Sequence, residues 1–267
     1  MTAPAALDVI IVSFNTATDL RQCLRSLNQH PPARPMRITV VDNASPDGSV
    51  EMVRRDFPAV TVHALSENAG FAAANNIGIR RTDAPLVLLL NSDTQVGPGA
   101  LDGLVGRLEE TGATVAGPRL VGRDGHLELS WGPMLSPWAE LRQMLRMRVT
   151  RSRHPLGRLV GRRLLGRERW VDWVSGACLL VRREAAEAVG LLDERYFMYE
   201  EDVDFCAAIR TRGGRVLFTP AAQIVHARGR SGAPSRHYVR SHIAFYQKHA
   251  PGWVPLVRAW HALRGRR

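Results

Sequence analysis

The sequence predicts an α/β fold: a mostly parallel sheet with helices on its faces. Three observations carry this. Short apolar runs alternate with helical patterns through residues 8–117, and such alternation gives parallel strands joined by right-handed crossovers. The five apolar residues Leu86-Val-Leu-Leu-Leu90 suit a strand buried on both faces and are too few for a helix. Polar residues recur just after the strands, at Ser13/Asn15, Asp42/Asn43 and Asn91/Asp93. One such ending is routine, and Asn91-Ser92-Asp93 alone reads equally well as a turn cap. Three endings on one carboxyl edge suggest a shared site, because open α/β sheets bind ligands there.

Each element has a local reason. Residues 8–15 form an apolar strand. Residues 19–29 follow as a helix with Leu20, Cys23, Leu24 and Leu27 on one face, capped by Thr16 or Thr18. A second strand, 37–42, ends in a carboxylate. Asn43, Pro46, Asp47 and Gly48 supply turn chemistry before a helix over about 49–57. Residues 60–65 are a third strand, and a helix runs from Gly70 through Arg81. The strand 86–90 leads to a helix at 100–111 carrying Leu101, Leu104, Val105 and Leu108, then a short fifth strand at 114–117.

The alternation breaks after Pro118 and resumes with a mostly extended stretch, 170–181. A short helix at 183–189 is stopped by Gly190. The cluster Glu200, Glu201, Asp202 and Asp204 opens a helix carrying Val203, Phe205, Cys206 and Ile209, ended by Gly213 and Gly214. A strand at 215–219, an extended piece at 224–226, a glycine- and arginine-rich run at 227–233 and a helix at 238–249 complete the order. The reading is one domain, 1–237, with a basic insertion over about 119–169 and a helical tail, 238–267. No internal repeat is visible.

The bulk numbers narrow the class. A hydrophobic content of 45% supports a packed core. Cys23, Cys178 and Cys206 fit no zinc or redox spacing, so free buried thiols in a reducing compartment are expected. Residues 1–8 lack the basic-then-apolar pattern of a signal peptide, and no apolar run approaches the roughly 20 residues of a membrane span. A cytoplasmic protein is expected, with binding to the inner face of the cell membrane left open. The net charge is +11 and Lys248 is the only lysine, so the charge is arginine. That fits phosphorylated ligands, anionic lipid or nucleic acid alike, and codon bias in a GC-rich genome gives the same arginine excess.

Residues 142–169 mix many arginines with Leu145, Met147, Val149, Leu156, Leu159, Val160, Leu164 and Leu165, and Glu168 is the one acid. A basic amphipathic stretch of this kind lies on an anionic membrane surface or forms a solvated insertion near the site. The tail places Trp253, Leu256, Val257, Trp260 and Leu263 at helical spacing beside Arg258, Arg264, Arg266 and Arg267. Tryptophan with arginine suits a headgroup boundary, and a helix packed on the domain is the plain alternative.

No G-x-G-x-x-G follows the first strand and no glycine-lysine-serine/threonine P-loop occurs. A nucleotide must therefore be held by carboxylates, amides and metal. The pieces Val12-Ser-Phe-Asn15, Val41-Asp-Asn-Ala-Ser45, Glu67-Asn-Ala-Gly-Phe-Ala-Ala-Ala-Asn-Asn-Ile-Gly78, Leu89-Leu-Asn-Ser-Asp93, Gly176-Ala-Cys178, Phe197-Met-Tyr-Glu-Glu-Asp-Val-Asp-Phe205 and Ile224-Val-His226 stand in an order that resembles the family two glycosyltransferases. These are inverting enzymes with the GT-A fold, and the match points to their rhamnosyltransferase-like branch. It covers roughly residues 8–232.

The resemblance implies a sugar transfer from a nucleotide-diphosphate sugar, dTDP-L-rhamnose, to a hydroxyl of a glycan or polyprenyl-diphosphate-linked saccharide, with Mg²⁺ or Mn²⁺ as cofactor. Ser13 and Asn15 would contact the nucleoside, Asp42 would accept the pyrimidine N3–H, and Asn68, Gly70 and Asn75 would lie beside ribose and diphosphate. Asp93 resembles the metal-binding acid and His226 a further ligand. Asn91 replaces an aspartate of the familiar motif, which lowers the expected metal affinity. Asp202 matches the general base, kept ionised by its helix N-terminus, with Glu201 second. Trp173, Gly176 and Asp204 fall on the acceptor side. Two rivals remain. A sugar-1-phosphate nucleotidyltransferase needs a glycine-rich basic loop after the first strand, which Ser13-Phe-Asn-Thr-Ala17 lacks. A polyanion-binding protein conflicts with the acidic edge at Asp42, Asp93 and Asp202, which also argues against nucleic acid as a partner.

Overall fold

The computed structural model describes residues 5–150, 154–227 and 236–264. Strands β1 (Leu7–Ser13), β2 (Met36–Asp42), β3 (Thr61–Ala64) and β4 (Leu86–Asn91) lie in the parallel order β3-β2-β1-β4. β1 is buried along its whole length, as a near-continuous apolar run requires in a sheet covered on both faces. Its register runs to Ser13 opposite Asp42 on one side and Val12 opposite Asn91 on the other. The three polar strand ends are therefore level on one edge. Helices α1 (Ala17–Gln29), α2 (Ser49–Asp56), α3 (Phe71–Arg80) and α4 (Ala100–Thr111) connect or flank these strands. α1 buries Leu20, Cys23, Leu24 and Leu27, the stripe its periodicity predicts.

The second half is less regular. It comprises β5 (Thr94–Val96), β6 (Val115–Val121), β7 (Leu127–Glu128), β8 (Trp131–Gly132), α5 (Pro137–Thr150), α6 (Pro155–Leu165), β9 (Arg169–Val171), β10 (Trp173–Val174) and β11 (Cys178–Arg182). Then come α7 (Arg183–Ala188), α8 (Glu201–Thr211), β12 (Val216–His226), α9 (Arg236–His249), a 3₁₀ turn (Pro251–Trp253) and α10 (Val254–Leu263). The sheet continues β4-β11-β6-β12-β5. β11 is antiparallel to both β4 and β6, while β6 and β12 are parallel.

Three expectations change. The stretch 170–181 is not one strand: β9 pairs with β12, β10 with β8 in a separate two-stranded sheet, and only β11 enters the centre. The fifth strand runs through Pro118 to Val121, so the insertion proper is the pair α5 and α6. The pieces at 215–219 and 224–226 are one strand, β12, whose register shifts between Thr219 and Gln223. Pro220 falls in that irregularity, where its missing N–H breaks no ladder bond.

Apolar cores cover both faces. One joins Leu20, Leu24, Leu101 and Leu104 to Ile11, Leu88 and Leu90. The other joins Ile10, Leu89 and Leu179 to Phe205, Ile209 and Phe218. A third cluster, Tyr196, Val203, Phe245, Tyr246 and Val257, fastens α9 and α10 to α8, so the tail packs on the domain. All three cysteines are buried. Among the described residues no helix is long and apolar enough to cross a membrane. The glycine- and arginine-rich run at 228–233 and Arg266 and Arg267 lie outside the described residues.

Candidate active site

The level strand ends become a site through side-chain bonds across them. Ser13 Oγ is 3.0 Å from Thr16 Oγ1, which donates to Ser92 Oγ at 2.9 Å. Thr16 occupies the cap position of α1 without capping it, because its hydroxyl joins the ends of β1 and β4. Asn15 is exposed, has φ +55° and donates its N–H to Ser45 Oγ at 3.0 Å.

Asp42, 1% exposed, accepts the Ser45 N–H on Oδ1 at 2.8 Å. Its Oδ2 is buried with no hydrogen-bond partner among the described residues. A buried carboxylate oxygen left without a donor is costly, and a pyrimidine N3–H is the kind of group that satisfies it. Next to it, Asn43 accepts the Ala69 N–H at 3.2 Å and donates to Gly70 O at 3.3 Å. Asn68 Oδ1 accepts the Gly70 N–H at 3.0 Å, and Asn75 donates to Phe71 O, one turn back in α3, at 2.9 Å.

Gly70 is a correction. It was expected to admit a ligand, but its φ is +88° and a Cβ there would lie 2.6 Å from Phe197 O. The glycine admits the loop before α8, and the Phe71 N–H donates to that carbonyl at 2.7 Å.

That contact leads to the acids. Asp202 is half-buried at the start of α8. Its Oδ2 accepts the Gly176 N–H at 2.7 Å and its Oδ1 the Val203 N–H at 2.8 Å. Gly176 has no room to spare: a Cβ would lie 3.3 Å from Asp202 Cβ and 3.4 Å from Phe71 Cε1. Ala177 O accepts the Asn91 N–H at 3.0 Å, so the Asp202 support is joined directly to the end of β4. The helix N-terminus was expected to keep Asp202 ionised; burial raises its pKa, with the N–H groups of Gly176 and Val203 opposing. Glu201, 6% exposed, is pushed well above the usual carboxylate range by burial and by the Asp202 charge. Both acids of this pair are thus held above the usual carboxylate range, chiefly by burial. The loop before them is strained: Tyr199 and Glu200 both have left-handed backbone, φ +72° and +66°. Ser241 Oγ on α9 braces it by donating to Met198 O at 2.8 Å.

Asp93, 8% exposed, faces His226 at the end of β12, with Oδ1 3.4 Å from Nε2. His226 Nδ1 lies 3.0 Å from Glu128 Oε2. Burial works against charge on this histidine, yet Asp93 and Glu128 outweigh it and lift its pKa to about 9. Among the described residues no group of three or more His, Cys, Asp or Glu side chains is placed to hold a metal. The Asp93–His226 pair offers two donors, which suits a cation completed by diphosphate oxygens.

The acceptor-side residues divide. Trp173 donates Nε1–H to Pro133 O at 2.8 Å and packs between two apolar clusters with part of its ring exposed. Asp204 is a second correction. It receives Lys248 Nζ at 2.8 Å, His249 Nε2 at 2.5 Å and the Tyr196 hydroxyl at 3.3 Å, which makes it the anchor of α9. Sequence reasoning missed Thr16, Asn43, Ser45, Ser92, Phe197 and Glu128. Asn43, Ser45, Ser92 and Phe197, within recognised motifs, carried a signal; Thr16 and Glu128 lay outside those motifs.

A mostly parallel sheet with polar residues level on one edge and a helix-borne carboxylate joined to it is the arrangement of a glycosyltransferase of the GT-A fold. Two solved structures share that fold. A crystal structure of GalNAc-T7 with UDP, GalNAc and Mn²⁺ superposes at TM-score 0.69 and 15% identity over 97% of this chain. The chain spans about half, 52%, of that protein. The mannosyltransferase PcManGT from Pyrobaculum calidifontis, in complex with GDP-Man and Mn²⁺, gives 0.63 and 18%, covering 97% of this chain and 69% of that one.

The glycosyl transferase family 2 model matches residues 8–189, and the chain belongs to that family. N-acetylglucosaminyl-diphospho-decaprenol L-rhamnosyltransferase of Mycobacterium tuberculosis is 31% identical over 289 residues, spanning 97% of this chain and 89% of the relative.

Proposed function

We propose that this glycosyltransferase moves L-rhamnose from dTDP-L-rhamnose, with inversion, to a hydroxyl of a polyprenyl-diphosphate-linked saccharide. The observation that carries the reading is the level edge. β1, β2, β4 and the entry to β11 bring Asp42, Asp93 and, through Gly176, Asp202 to one side of the sheet. The named substrate of the mycobacterial relative supports the choice of acceptor.

Asp42 Oδ2 reads the pyrimidine N3–H. Ser13, Asn15, Asn68 and Asn75 shape the nucleoside and ribose side, and Gly70 keeps their turn closed on Phe197. Asp93 and His226 would hold Mg²⁺ or Mn²⁺, and the bound ion would supply positive charge for the departing diphosphate. Asp202 takes the proton of the acceptor hydroxyl. The oxygen bonds to the anomeric carbon as the carbon–oxygen bond to the nucleoside diphosphate breaks on the opposite face. Glu201 keeps its proton and limits repulsion beside Asp202. Gly176 and the exposed edge of Trp173 border the acceptor.

The surface supports a membrane-borne acceptor. Trp138, Leu141 and Leu145 are exposed on α5, and Trp253, Leu256, Trp260 and Leu263 form an exposed stripe through the 3₁₀ turn and α10. Arg142, Arg148, Arg258 and Arg264 flank them, and Arg264 stacks 3.8 Å over Trp260. Such faces bind anionic headgroups at the cytoplasmic leaflet.

The test is transfer of radiolabelled rhamnose from dTDP-L-rhamnose to N-acetylglucosaminyl-diphospho-polyprenol in vesicles containing anionic lipid, with the product anomer read by NMR. An inverted, chromatographically shifted product is expected. Transfer from UDP- or GDP-sugars alone, or a retained anomer, overturns the donor or the stereochemical assignment.

A further inference from the structure

We infer that Glu128 is a positioning residue for the metal site, orienting His226 so that its Nε2 faces Asp93. This rests on the proposed reading of Asp93 and His226 as ligands. Glu128 lies on β7, a two-residue strand that pairs with β6 with Leu120 opposite Glu128. It is 98 residues from His226 in sequence, 6% exposed, and touches the ring from the side remote from Asp93. It is thus placed behind the histidine and is not itself a ligand.

The argument is one of donors and acceptors. A carboxylate oxygen accepts only, so Glu128 Oε2 at 3.0 Å requires a proton on His226 Nδ1. Nε2 is then the nitrogen turned to Asp93, with Oδ1 3.4 Å away. Two acceptors do not face one another at that distance unless something positive joins them, a proton or a cation. Adjacent ligands of an octahedral ion at about 2.1 Å lie roughly 3.0 Å apart, close to the separation here. Carboxylates on the far nitrogen of metal-bound histidines fix ring and tautomer in this way. Without Glu128 the ring loses the contact that fixes its orientation, and Nε2 is no longer held towards Asp93.

A second histidine extends the arrangement. His126 Nε2 lies 3.6 Å from Glu128 Oε1, and its Nδ1 meets Asp124 at the tip of the β6–β7 turn. His126 thus stands beside the other oxygen of Glu128, on the side away from His226 Nδ1.

The test is Mn²⁺ titration of the full chain at fixed dTDP, followed by the EPR signal of free Mn²⁺, with protein-free dTDP as blank. Glu128→Gln keeps the shape and removes the charge; Glu128→Met removes the acceptor at similar length. Both should weaken Mn²⁺ about 10- to 100-fold, with circular dichroism and Tm of the metal-free chain near wild type. In a His226→Ala background the same changes should have less than about a twofold effect, because Glu128 acts only through that ring. Wild-type affinity in both Glu128 variants overturns the inference, as does an equal loss with and without His226. A wild-type chain that binds no Mn²⁺ beyond the blank instead removes the metal reading itself.

Discussion

The two halves of this molecule are held by different forces. In β3-β2-β1-β4 and its helices, position follows from local pattern: apolar runs give strands, a 3.6-residue stripe buries α1, and polar residues mark the strand ends. In the half that follows β6, elements are as short as two residues, and contacts across more than 100 residues hold them. Glu140 on α5 receives His242 Nε2 at 3.1 Å and the Tyr246 hydroxyl, both from α9, while His242 Nδ1 meets His261 Nε2 of α10 at 2.9 Å. A regular sheet gives a rigid platform for a constant ligand; a polar-stapled periphery permits variation in what is presented to it.

Substitutions should separate the halves. The largest effect is expected at their junction: Asp202→Asn should lower kcat by about 10²- to 10⁴-fold while dTDP binding by calorimetry stays intact. Turnover near wild type would break the assignment. Asp42→Ala in the regular half should raise the donor KM about 10- to 100-fold, the worth of a hydrogen bond to a charged group, with kcat little changed. In the stapled half, Glu140→Ala strands His242 and the Tyr246 hydroxyl. A loss of roughly 1–3 kcal/mol in stability is expected by urea unfolding, with donor affinity unchanged. A large donor effect there would erase the contrast.

The smallest effect is a slope. Burial, aided by the charges of Asp202 and Glu140 and opposed by His242, lifts Glu200 from 4.5 to about 8. The folded chain therefore keeps a proton that the unfolded chain has released. Stability attributable to this group is full below pH 4.5 and falls as pH rises towards 8. Glu200→Gln should flatten the Tm–pH curve across that window, with the variant gaining most at its alkaline end.

Legibility in the sequence follows the same division. The strands, the α1 stripe and the acids at 42, 93 and 202 were readable because period and motif are local. The direction of β11 was not, since an apolar run looks the same either way along a sheet. Asp204 was misplaced because its partners, Lys248 and His249, lie some 44 residues on and periodicity does not reach them. Glu128 left no trace for the same reason. Gly70 was recognised as special, but a sequence does not say whether ligand or protein fills the space beside a glycine.

The closeness of Gly70 to Phe197 has a consequence for rebuilding the enzyme. The turn before α3 and the loop that leads to Asp202 touch backbone to backbone, so they are not separable modules. A chimera that imports a foreign donor platform must carry residues 68–71 and 197–202 from the same parent, or the graft will meet its own catalytic loop in collision.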